Sequence, residues 1–274
     1  NTRDTLYLIT LKGRAASVPV YSLPEKDDPS DGAPWPGVSA LDANARVVAA
    51  VAVGADHVRA ANVNVGAGGR PPVQSSGRPP VQSSAYLFLA TAGGVVKRIS
   101  AADLPGPSSQ VYNVMNVAED DGVVGARLTS GADEVLLATA LGRAIRFKES
   151  EVRAMGLSAA GVIGIKAGAR EDRVIGLDVV KPRADVFLIT DAGMGKRTSL
   201  ADFPTQGRAG VGVSAAALGG KQRLVGMCAG CAPDRLVVVA GKSGAKLLKF
   251  AAAGRKGRAA RGSGVVKLRD KEAV

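Results

Sequence analysis

Lysine and arginine recur at fixed distances beyond a turn glycine. Lys97 and Arg98 stand three and four positions past Gly94, and Lys196 and Arg197 stand at the same offsets past Gly193. Arg143 and Arg146 follow Gly142, Lys246 and Lys249 follow Gly244, and Arg14 follows Gly13. Cations repeated at intervals suit a polymer of negative charge, because each phosphate they neutralise releases condensed counterions. Gly-rich stretches add a second element. Residues 206–212, QGRAGVG, offer backbone N–H groups unshielded by side chains, with Arg208 supplying charge. Residues 255–261, RKGRAAR, carry Arg255, Lys256 and Arg258 in the corresponding place, and residues 155–161, MGLSAAG, are an uncharged counterpart. Contacts of these kinds hold a sugar-phosphate backbone without reading bases, so the expected partner is duplex nucleic acid bound with weak sequence preference and strong salt dependence.

The bulk composition agrees. In 274 residues, 36 Lys and Arg face 24 Asp and Glu, a formal charge of +12, which favours a polyanionic partner. The chain is 46% hydrophobic, too apolar for a disordered one. Little points to catalysis. There is one histidine, His57, no HExxH pattern and no GxSxG elbow, and the GxG run at Gly193 and Gly195 sits in a strand turn rather than opening a helix. Asp120, Asp121, Glu171 and Asp172 precede strands, where acids commonly build turns. Cys228 and Cys231 form a single CxxC with no second ligand pair, so two reduced thiols are expected, with no metal and no cofactor. No apolar run is long enough to span a bilayer. The absent initiator Met points to a fragment.

The basic residues need a frame to align them, and the glycines supply it. Gly13, Gly94, Gly142, Gly193 and Gly244 are separated by 81, 48, 51 and 51 residues, a repeat of about fifty with one insertion. Each unit starts with a short apolar, β-prone run such as Val186, Phe187, Leu188 and Ile189, turns at the glycine and returns as a basic strand. Glycine-containing steps follow at Gly37-Val38, Gly161-Val162, Gly210-Val211 and Gly264-Val265, and then further apolar strands over residues 46–53, 122–128, 173–179 and 223–227. The expected fold is all-β: one propeller-like domain over residues 1–274, of about five four-stranded blades. The blades are placed near residues 4–66, 85–131, 133–182, 184–232 and 234–274. Residues 67–84, holding RPPVQSS twice, read as a solvated insertion, and Trp35 as a cap on a blade edge. Side chains alternate across a strand, so the paired Lys and Arg are expected to send one member outward to a basic rim.

The stretches LFLATAGGVVKR, VLLATALGRAIRF with EVRAMGLSAAGVIGI downstream, and VFLITDAGMGKRTSLADFPTQGRAGVGV resemble the C-terminal domain of the A subunit of bacterial type IIA topoisomerases, DNA gyrase above all. The resemblance runs from Leu6 to Leu268 and implies a β-pinwheel that exchanges strands between blades and wraps duplex DNA on a basic perimeter. In that family the domain is non-catalytic and presents DNA for strand passage and negative supercoiling. The parent enzyme's N-terminal cleavage core and ATPase B subunit do the chemistry, in the cytoplasm, and the isolated domain is expected to be monomeric. By position, Lys97, Arg98, Arg146, Lys196, Arg197 and Arg208 would meet phosphates. Two departures stand out. The family's box, QRRGGKG, belongs to the first blade and has no counterpart before Leu6. In the later box-like loop, Gln206, Gly207, Arg208, Ala209, Gly210, Val211 and Gly212, a glycine is replaced by Ala209 and a lysine by Val211. A topoisomerase IV type domain that binds DNA without chiral wrapping, or a propeller that scaffolds protein partners, remain the alternatives.

Overall fold

The computed structural model describes residues 1–25, 32–55, 85–166, 171–241, 244–269 and 272–274. The duplicated insertion and His57 lie outside the described residues. The first repeat gives β1 (Thr5–Thr10), β2 (Arg14–Pro19) and β3 (Val47–Val53). The second gives β4 (Tyr86–Thr91), β5 (Val95–Ser100), β6 (Tyr112–Asn113) and β7 (Val123–Thr129). The third gives β8 (Glu134–Thr139), β9 (Arg143–Lys148), β10 (Val162–Ile163) and β11 (Val174–Val179). The fourth gives β12 (Asp185–Thr190), β13 (Met194–Ser199), β14 (Val213–Ser214) and β15 (Leu224–Gly230). The last gives β16 (Arg235–Ala240), β17 (Gly244–Lys249) and β18 (Ser263–Gly264).

The leading hairpins form for a reason visible in the residues. The hydroxyls of Thr10, Thr91, Thr139 and Thr190 each accept from the backbone N–H four positions on, at 3.2–3.3 Å, across a three-residue turn. The turn glycines Gly13, Gly94, Gly142, Gly193 and Gly244 all take φ between 68° and 85°, the left-handed region a three-residue hairpin needs.

Four sheets are four-stranded, in the orders β3-β1-β2-β6, β7-β4-β5-β10, β11-β8-β9-β14 and β15-β12-β13-β18. The fourth strand of each comes from the following repeat, so each of these four sheets is closed on its outer side by a two-residue strand lent by its neighbour. Among the described residues the fifth sheet is only the β16-β17 pair, which differs from the expected four strands. Its repeat lends β18 backwards, and the amide of Val274 donates to Asp191 O in the position where Val123, Val174 and Leu224 open the inner strands of earlier sheets. One face of that hairpin stays open, with Val237, Val239 and Leu247 about 60–65% exposed.

The core lies between sheets. One cluster joins the first and second sheets through Tyr7, Leu87 and Ile99, the next joins the second and third, and so on to Phe187 and Phe250. Phe88 meets Phe147 at 6.4 Å and Phe187 meets Phe250 at 5.6 Å between ring centroids. Each buried ring contributes about 1.5–3 kcal/mol of transfer free energy. Because stacking covers both faces, β12 is buried at all six positions. The exchanged strands lie at or beside the Gly-containing steps: β10 starts at Val162, β14 at Val213 and β18 at Ser263. Trp35 opens a four-residue helix, Trp35–Val38, and its indole N–H donates to Asp42 O at 3.3 Å.

Candidate nucleic-acid interface

Strand exchange creates the rim. Residues 152–162, 203–213 and 253–263 each cross from one repeat to the outermost strand of the preceding sheet. Each crossing starts with a parallel bridge to an arginine of the receiving hairpin: Arg98 with Ala154, Arg146 with Thr205, Arg197 with Arg255. Each ends at a glycine, Gly161, Gly212 or Gly262. At Gly212, with φ of 65°, a Cβ would lie 2.3 Å from Ala144 O, so only glycine lets the loop close against β9.

Successive loops are tied in a belt. Ala209 N donates to Gly164 O at 2.7 Å, Lys166 N to Gly210 O at 2.9 Å, and Arg208 Nη1 to Ile163 O at 3.0 Å. One repeat later, Arg258 Nη1 donates to Ser214 O at 3.0 Å and Ala217 N to Ala260 O at 3.3 Å.

The structure moves several expected contacts off the rim. Lys97 and Lys196 are 0% and 1% exposed, so neither reaches a phosphate, and the expectation for both is corrected. Lys97 Nζ donates to Val114 O and Leu157 O at 2.7 Å and to Ala159 O at 2.9 Å. Lys196 Nζ donates to Gly257 O at 2.9 Å and to Arg258 O. The physical reason is that both faces of these strands are covered, one by the next sheet and the other by a rim loop. Burial pushes the Lys97 ammonium down to about 8, and burial followed by the neighbouring Lys256 and Arg258 charges does the same to Lys196.

The partner arginines are half-buried and engaged. Arg98 lies 4.5 Å over the Tyr86 ring and 3.7 Å from the Glu149 carboxylate. Arg146 pairs with Glu134 and donates to Leu200 O and Phe203 O at 3.2 Å. Burial raises the Glu134 carboxyl, but hydrogen bonds from Thr205 and Arg146 outweigh it and hold the group below its usual range. Arg197 donates to Asp185 at 3.1 Å and to Ala253 O at 2.7 Å. Arg146 and Arg197 thereby bolt a rim loop to its hairpin, while the Arg98 side chain stays on its own hairpin and the Glu149 carboxylate.

Arg143 donates to Val211 O at 2.7 Å and Gly212 O at 2.6 Å. Arg208 donates to Glu151 O at 3.1 Å, while its amide meets the Glu151 carboxylate, so residues 206–212 sit beside a counter-charge. Lys246 Nζ donates to Lys267 O at 2.7 Å. Arg14 and Lys249 are exposed on strand ends.

The loop over residues 254–262 brings cations together. Arg255 is 60% exposed while pairing with Asp185 at 3.1 Å, Lys256 donates to Arg261 O at 3.2 Å, and Arg258 carries the bond to Ser214. Arg261, exposed and one residue before Gly262, joins them. It ends the RKGRAAR stretch singled out in the sequence, where only Arg255, Lys256 and Arg258 are named as candidates. The acids behave as turn builders: Asp121 accepts from Gly93 N at 2.7 Å and Asp172 from Leu141 N at 2.9 Å. Cys228 lies on β15 with its thiol pushed up to about 11 by burial, and Cys231 is exposed. Among the described residues no helix is long and apolar enough to cross a membrane.

Comparison with known proteins supplies the context. The family model described as "DNA gyrase C-terminal domain, beta-propeller" matches residues 85–130, 133–181 and 184–227. The DNA gyrase A subunit of Klebsiella oxytoca is 36% identical over 78% of this chain, and that of Staphylococcus epidermidis is 30% identical over 100% of it. The chain spans 21% and 28% of those two relatives. Among solved structures, the C-terminal domain of DNA topoisomerase IV superposes with a TM-score of 0.78 at 25% identity, covering 97% of this chain and 76% of that one. A DNA gyrase A C-terminal domain gives 0.73 at 20% identity, covering 100% and 81%, which bears on the fold.

Proposed function

The chain belongs to the DNA gyrase C-terminal domain family, and on that premise we propose that it binds duplex DNA along its belt of outer loops and bends it for strand passage by a type IIA topoisomerase. The observation that carries this is the cluster Arg255, Lys256, Arg258 and Arg261 on an outer loop, in a chain of net charge +12. Arg14 and Lys249 extend the contact along the edges, and Arg143, Arg146, Arg197 and Arg208 hold the belt in shape. Phosphates met at intervals along a curved surface give affinity without base reading. The domain does this as a monomer, without a cofactor, on nucleoid DNA. Cleavage and ATP turnover fall to the cleavage core of the same polypeptide and to a separate ATPase subunit.

Wrapping with one hand, and so negative supercoiling, is the fuller form of the proposal. A second reading, bending without chiral wrapping, is favoured by two observations: the likeness to the topoisomerase IV domain, and the box-like loop in which Ala209 and Val211 replace a glycine and a lysine. Ligating nicked circular plasmid with the domain bound separates them. A positive linking-number change supports chiral wrapping, no change with binding intact supports bending, and no salt-sensitive binding overturns both.

A further inference from the structure

The ammonium of Lys196 is buried against the underside of the most basic loop, and its equivalent Lys97 is buried against the least basic one. Lys196 takes up the carbonyls of Gly257 and Arg258. Among the described residues the amides of the same two positions have no hydrogen-bond partner. A loop whose carbonyls are taken from below and whose amides are unused is suited to an anion, and here Lys256, Arg258 and Arg261 flank it. In the blade between, the equivalent of the lysine is Ile145, and the loop is held instead by Arg143 through Val211 O and Gly212 O.

We propose that Lys196 is a positioning residue that holds residues 254–262 as a phosphate station, with the free amides of Gly257 and Arg258 and the Lys256, Arg258 and Arg261 side chains as its ligands. Lys97 performs the same holding task for residues 155–161, which bring no cation. The inference rests on the duplex-binding reading. Burying an ammonium costs several kcal/mol unless it is hydrogen-bonded; Gly257 O and Arg258 O meet Lys196, and Leu157 O and Ala159 O of its rim loop, together with Val114 O, meet Lys97. The charged groups that face Lys196 are Lys256 and Arg258, which disfavour its proton, and Asp202, which favours it.

The test compares Lys196→Met and Lys97→Met in the full chain. Hydrogen exchange of residues 254–262 should speed up in the first variant, and that of residues 155–161 in the second. Duplex affinity should fall about tenfold in Lys196→Met, as expected when one set of charge-assisted hydrogen bonds is disordered, and stay within about twofold in Lys97→Met, whose loop contributes no charge. Unchanged exchange would show that the lysine is not the anchor. Freed exchange with wild-type affinity would show that the loop's shape is not needed. Should Lys196→Met not fold, Lys196→Gln keeps two N–H donors and should restore both readouts in part, while a Gln variant with a tight loop and weakened affinity would overturn the geometry. If the wild type itself fails to bind duplex, the functional reading falls while the exchange data still report on the anchor.

Discussion

Residues 155–161 and 256–262 occupy the same place in the third and fifth repeats and differ in what they present. Both cross to the outer strand of the preceding sheet, both close on a glycine, and both sit on a buried lysine. The first offers Met, Gly, Leu, Ser and Ala. The second offers Lys256, Arg258 and Arg261, with Arg255 just before it. On the proposed reading, the holding residues and the binding residues are separate sets: lysine and glycine fix where the backbone lies, and charge is added on top. The loop at residues 206–212 is intermediate, with Arg208 spent on Glu151 O and Ile163 O.

The contrast can be broken most severely by removing the charge from the basic loop. Changing Arg255, Lys256, Arg258 and Arg261 together to Ala should cut duplex affinity about a hundredfold at low salt and flatten the log–log salt slope by about 0.9 for each phosphate no longer neutralised. Fluorescence anisotropy over a salt series reads both, and an unchanged slope would remove this loop from the interface. The shared anchor makes a second prediction. Lys97 and Lys196 release their protons near 8 in the folded chain but near 10.5 when unfolded. Between those values the unfolded chain binds more protons, so each lysine makes stability rise with pH across that window. Urea midpoints measured at about pH 7.5 and about pH 9.5 should show Lys97→Met and Lys196→Met each gaining less than the wild type over that step.

Transplanting charge should sharpen the comparison more gently. Ala154 and Ala160 are exposed and stand at the loop positions that Arg255 and Arg261 hold in the fifth repeat. Ala154→Arg with Ala160→Arg should tighten duplex binding about threefold to tenfold and steepen the salt slope by up to about 1.8, with the same gel or anisotropy readout. The smallest effect is expected in the intermediate loop. Ala209 holds φ of 63°, where a side chain is strained, so Ala209→Gly should stabilise the domain by about 0.5–1 kcal/mol. A lower melting temperature in that variant would show the strain is already relieved by the Gly164 contact.

The repeat, its strands and its turns were legible because they depend on neighbours in sequence. A threonine four positions before a backbone amide, with glycine at the turn, specifies the same hairpin wherever it occurs. Apolar runs such as residues 186–189 announced burial, and their lengths excluded long helices. The strands expected over residues 46–53, 122–128, 173–179 and 223–227 became the inner strands of the four larger sheets. The positions of the exchanged strands were less clear, since a two-residue strand carries almost no pattern of its own. The direction of Lys97 and Lys196 was illegible. Alternation says that Lys97 and Arg98 face opposite ways, but not that both ways are covered.

By itself, then, the amino-acid sequence determined a basic chain of fifty-residue hairpin repeats with glycines at its turns, and with them the family. Only the tertiary structure decided which cations are free. The loop that covers Lys196 arrives from about sixty residues downstream by strand exchange, and no local pattern on β13 records its arrival. A lysine next to an arginine looks the same on an open strand as on one roofed by another repeat. What distinguishes them is whether the ammonium is satisfied by water or by the carbonyls of a distant loop, and that is settled when the sheets stack.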